Sequence, residues 1–89
     1  MRAIVTVIGP DRVGIIAEVC TLLAKLGVNV LDLSQTIMQD YFTMIMLVDT
    51  ENCKVSFTEL GDILAKAGEK EGLTIRIQRE DIFKAMHRI

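Results

Sequence analysis

Seven residues near the N-terminus, Gly9-Pro10-Asp11-Arg12-Val13-Gly14-Ile15, have the types and spacing of a loop that holds a ligand. Two glycines let a backbone turn and come close to a bound group. Asp11 stands where a helix N-cap belongs, ahead of amide groups that point into open space and suit an anion. The loop marks a candidate site without naming its ligand. Other chemistry finds no support. Gly9 to Gly14 does not fit G-x-G-x-x-G, and no Gly-Lys-Ser/Thr follows to make a phosphate loop. His87 sits in the tail with no nucleophile near it, which leaves no general base. Cys20 falls in an apolar helical stripe and Cys53 in a polar turn. With no C-x-x-C spacing and one histidine, neither a metal site, a disulfide nor a reactive thiol is expected. No acid, base and nucleophile constellation emerges, and a non-enzymatic protein is expected, with no cofactor.

Composition narrows the partners. The 89 residues make one domain, small enough that its stability margin is thin. Hydrophobic residues are 51% of the chain but only 4% are aromatic, so Ile, Leu, Val and Met must build the core, and some apolar surface is left for a partner. A net charge of −2 with acidic and basic residues interleaved argues against nucleic acid, which needs a clustered positive field. Apolar runs stop well short of the ~20 residues a bilayer requires, and the N-terminus lacks a signal-peptide pattern, so a soluble, cytoplasmic protein with no membrane partner is expected.

The elements that must position the loop follow from periodicity. Met1 to Ile8 reads as a strand that Gly9-Pro10 terminates, with Ala3, Val5 and Val7 on one face and Ile4 and Ile8 on the other, hence central in a sheet. From Val13 a helical stripe runs through Val13, Ile16, Ala17, Cys20, Leu23 and Ala24, broadened by Ile15, Val19, Leu22 and Leu26, until Gly27 ends it. Val28 to Met38 is a more polar strand whose parity slips, as a bulge or a sheet edge would explain. Gln39-Asp40 turns a hairpin into Tyr41 to Val48, again apolar on both faces and therefore central. After a polar loop from Asp49 to Lys54, Ser56-Phe57-Thr58-Glu59 has capping-box spacing. Phe57, Leu60, Ile63, Leu64 and Ala67 mark the stripe of the second helix, Gly72 stops it, and Leu73 to Gln78 alternates as an edge strand should.

The order βαββαβ is the ferredoxin-like α+β arrangement: a four-stranded antiparallel sheet of order 4-1-3-2 with both helices on one face. Its other face would leave Met44, Met46, Ile4 or their neighbours in water. The tail, residues 79–89, carries Ile82, Phe83, Met86 and Ile89 on one helical face and is expected to form a short C-terminal helix. Either this tail, a partner subunit or both would cover the bare face.

Gly9-Pro10-Asp11-Arg12-Val13-Gly14-Ile15, the apolar helix after it and Leu26-Gly27-Val28-Asn29-Val30 together resemble an ACT domain, over nearly the whole of residues 1–89. Leu33-Ser34-Gln35-Thr36-Ile37, Tyr41-Phe42-Thr43-Met44 and the ending Ile82 to Ile89 resemble a group of small stand-alone bacterial members. The glycine cleavage regulators look like more distant relatives. The resemblance implies a regulatory module that binds an amino acid or similar metabolite at an interface between two domains, here of a homodimer. It implies no catalysis. Family ligand contacts map onto Asp11, Arg12, Val13, Gly14 and Asn29. No attached enzyme or DNA-binding domain of the usual kind is expected within these residues, which leaves a protein partner unnamed.

An amino acid offers a carboxylate and an ammonium. Amides near Val13 and Gly14 at a helix N-terminus suit the first, and Asp11 with the Asn29 side-chain oxygen suits the second. Each residue also has a plainer reading. Asp11 caps the helix, Gly14 lets the helix approach the sheet, Asn29 bonds its local backbone, and Arg12 is a solvated charge. A ligand-free scaffold that dimerises or docks on an enzyme is the alternative function.

Overall fold

The computed structural model describes residues 1–10 and 14–81. Strand β1 (Arg2–Pro10) leads to helix α1 (Ile15–Lys25), strands β2 (Asn29–Met38) and β3 (Tyr41–Asp49), helix α2 (Phe57–Glu71) and strand β4 (Thr74–Arg79). The strands form one antiparallel sheet in the order β2-β3-β1-β4, the expected order read from the other edge. The two strands that are apolar on both faces, β1 and β3, are the central pair. The parity slip in β2 is a bulge between Val30 and Asp32, on a strand that is also a sheet edge.

Register decides which side chains meet the helices. Ala3, Val5 and Val7 of β1 stand opposite Val48, Met46 and Met44 of β3, and all six are fully buried beneath Ile15, Val19 and Leu23 of α1 and Leu60 and Leu64 of α2. Met44 and Met46 are therefore core residues, not the water-facing ones that the sequence suggested. Alternation sends Ile45 to the helix-free face instead, where it is 40% exposed. A strand apolar on both faces does not declare which face the helices will choose.

Both helix ends of α2 follow the sequence closely. Ser56 caps it by accepting a hydrogen bond from the Glu59 amide at 3.1 Å, and Gly72 closes it in the left-handed conformation (φ 73°). α1 ends as expected at Gly27, with the Val28 amide donating back to the Leu23 carbonyl at 2.9 Å. Its buried stripe, however, is Ile15, Val19 and Leu23, while Ala17 and Ala24 of the expected stripe face water. A helix apolar nearly all round fixes its own phase poorly, and here large side chains, Ile15, Val19 and Leu23, take the inward face while the alanines turn outward. Cys20 and Cys53 both pack half-buried against this core. Residues 82–89, where a terminal helix was expected, lie outside the described residues.

Candidate functional site

Gly9-Pro10 does not stop the first strand. Gly9 pairs with Phe42 and Pro10 with Tyr41, so β1 continues two residues beyond Ile8. Pro10 is accommodated because β4 has already ended its pairing at Ile8 with Thr74, leaving Pro10 only one neighbouring strand. Gly9 is there for space: a Cβ on it would stand 2.5 Å from Leu73 Cδ2. The chain thus reaches the site beside the β2–β3 hairpin tip, whose Met38 and Tyr41 form the next pair outward.

The helix begins two residues later than Val13. Its N-cap is Gly14, in the left-handed region at φ 90°, and the first helical hydrogen bond runs from the Glu18 amide to the Gly14 carbonyl at 2.9 Å. The N-cap position is therefore not Asp11's. Glycine has no side chain to cap with, so the amides of Ile15, Ile16 and Ala17 have no acceptor within the helix. Among the described residues nothing lies within 4 Å of where a Gly14 Cβ would be. Close approach of helix to sheet does not explain this glycine; its positive φ does. Asp11, Arg12 and Val13 lie outside the described residues.

Asn29 is the first residue of β2, exposed, and paired with Asp49, which in turn pairs with Arg2. That row is the opposite end of the sheet from Pro10 and Tyr41. The eight residue steps of β1 between the two rows span about 26 Å at ~3.3 Å each. The fold therefore does not bring Gly14 and Asn29 together within one chain. None of the side-chain hydrogen bonds among the described residues engages Asn29, so local backbone satisfaction does not account for it.

The Gly14 end also holds a feature that periodicity did not single out. Val19 and Leu22 of α1, Ala67 of α2, and Leu73 and Ile75 line an apolar groove of about 140 Å³ with Glu18 and Lys70 on its rim. Leu22 belonged to the broadened stripe, and only the placing of both helices on the sheet shows that it borders a gap. Among the described residues no three or more His, Cys, Asp or Glu side chains are grouped to hold a metal ion. No helix among them is long and apolar enough to cross a membrane.

Comparison with known proteins agrees with the fold. A family model described as the ACT domain matches residues 2–78. The chain is 54% identical over 89 residues to a UPF0237 protein of Clostridium acetobutylicum, covering 100% of each chain. Among solved structures it resembles an ACT domain protein from Streptococcus pneumoniae, at 41% identity and a TM-score of 0.83 over 98% of both chains. It also resembles a putative glycine cleavage system transcriptional repressor, at 26% identity and a TM-score of 0.73, over 86% of this chain and 44% of that one.

Proposed function

The chain belongs to the ACT-domain family, and from that premise we propose that it is a non-enzymatic regulatory module which binds an amino acid or similar small metabolite between two copies of itself. Family members are typically regulatory domains that bind small molecules. The observation that carries the reading is the separation of Gly14 from Asn29. A two-fold axis normal to the sheet, lying just outside the free edge of β2 at its middle, would pair that edge with its copy, antiparallel. Asn29 of one molecule then falls beside Met38 of the other, at the end where Pro10 and Gly14 lie. Two equal sites result, each with helix N-terminal amides for a carboxylate and an amide oxygen from the second molecule for an ammonium.

The edge is suited to this. β2 is ten residues long, free of proline and lysine, and exposes Leu31, Ile37 and Met38. An exposed helix terminus contributes only about 0.3 to 1 kcal/mol to anion binding, so the second molecule's hydrogen bonds and its exclusion of water supply the rest. Binding at such a seam would alter affinity for a protein partner by favouring the paired state.

Thermal unfolding against a panel of amino acids at millimolar concentration tests this. A ligand at 100 times its Kd adds about 2.7 kcal/mol, worth about 10 °C or more in a domain of this size. The expected result is a selective upward shift that is lost in Gly14→Leu and in Asn29→Ala. Stability unchanged across the whole panel would favour the ligand-free scaffold instead.

A further inference from the structure

Gly68 lets α2 come down onto the β4 edge, since a Cβ there would stand 2.6 Å from the Leu73 carbonyl oxygen. α2 packs on β4 and α1 toward β2, at the opposite edge, so the helices divide the sheet between them. Side chains must fill the space left between the two. One turn earlier the flank of α2 that faces α1 carries Ile63, half-buried, but at the groove it offers only Ala67. Its single methyl leaves the slot of about 140 Å³ open. Val19, Leu73 and Ile75 form the buried part of the lining, and Leu22 faces Ala67's helix from α1, half-buried. Glu18, Glu71 and Lys70 stand exposed at the mouth, so both signs of charge adjoin one apolar space.

We propose that this slot binds one free amino acid whose apolar side chain is the size of leucine's or phenylalanine's. An apolar cavity of about 150 Å³ takes one benzene-sized group, and water gains little there for want of polar partners. Lining atoms that face a void forgo dispersion contacts, which an apolar side chain restores. Charge at the mouth then selects the head group. An α-amino acid brings an ammonium for Glu18 and Glu71 and a carboxylate for Lys70. A fatty acid would set its carboxylate against the two glutamates, and an alkylamine would set its charge against Lys70. Glycine or aspartate offers the slot nothing apolar. The site is complete in one chain and lies on the flank of α1 that faces α2, away from the β2 edge. It is therefore separate from the seam between two copies and stands whether or not that seam holds a ligand.

Methyl NMR titration of the full chain with leucine and with phenylalanine at millimolar concentration tests the assignment, and needs no variant to fold. Saturable shifts are expected at the methyls of Val19, Leu22, Leu73 and Ile75, with none from glycine or aspartate at the same concentration. Isocaproate, which is leucine without its ammonium, should bind about two- to fivefold more weakly. Ala67→Leu fills the slot and should raise the leucine Kd about tenfold or more, while Asn29→Ala leaves it unchanged. The proposal is overturned if these four methyls stay unmoved by both ligands, if glycine moves them equally, or if isocaproate binds as well as leucine. A folded Ala67→Leu variant that keeps full leucine affinity would overturn it too. Shifts confined to the start of α1 and to β2, and lost in Asn29→Ala, would reject the slot yet sustain the seam.

Discussion

Gly9 lies so close beneath Leu73 that a Cβ on the glycine would come within 2.5 Å of Leu73 Cδ2, and within 3.2 Å of the Gly72 carbonyl oxygen. The end of β1 and the start of β4 are thereby locked, with the α2 cap between them. Gly9→Ala should destabilise the domain by about 1–3 kcal/mol through overpacking, read as a lower urea midpoint at unchanged slope. Adding Leu73→Ala removes the nearest atom of the clash, so the double variant should be less destabilised than the sum of the singles.

Gly14 poses the opposite case, since a side chain there meets none of the described residues but a backbone at φ 90°. Gly14→Ala is expected to cost about 1 kcal/mol, or roughly 4–8 °C in midpoint, with the core intact. Gly14→Asn should cost less and Gly14→Val more, because tolerance of positive φ and not side-chain volume sets the order. Thermal melts of the three variants check this; an order that followed size would point to a packing role.

Gln39 turns the β2–β3 hairpin at φ 55°, the only non-glycine at positive φ among the described residues. Gln39→Gly should stabilise by about 0.5–1 kcal/mol, as release of left-handed strain exceeds the added entropy of the unfolded chain. A raised melting midpoint with unchanged self-association is the expected outcome.

Ser34 sits near the centre of β2, exposed on the sheet edge. In an antiparallel β2 pairing a lysine there would face its own copy, and like charges directly opposite are destabilising. Ser34→Lys should move sedimentation toward monomer without lowering the monomer's helix content, and the amino-acid response should fall with it.

Much of this architecture is local and so is written in short stretches of residues. Ser56 and Glu59 announce a cap, Gly27 and Gly72 announce two stops, and the slipped parity of Val30 and Leu31 announces the bulge. What periodicity could not convey is tertiary. Pro10 reads as a terminator until one knows that β4 has already finished beside it. The phase of α1 is hidden because small and large apolar residues ring the whole helix, and only burial of Ile15, Val19 and Leu23 resolves it. Of the candidate site, the glycine at the helix entry was legible, while its distance from Asn29 was not, because that distance is set by a helix and a strand running the full length of the sheet.

The two borders of the sheet are unequal. β2 offers ten residues with no lysine or proline, whereas β4 offers six and carries Arg76 and Arg79. A sheet with two receptive borders can add molecules without end and grow into a fibre. With one receptive border, each molecule has a single open valence, and a self-complementary pairing satisfies both valences at once. On the proposed pairing growth would end after one step, and a chain with this much bare strand would stay at high concentration without templating its own polymer.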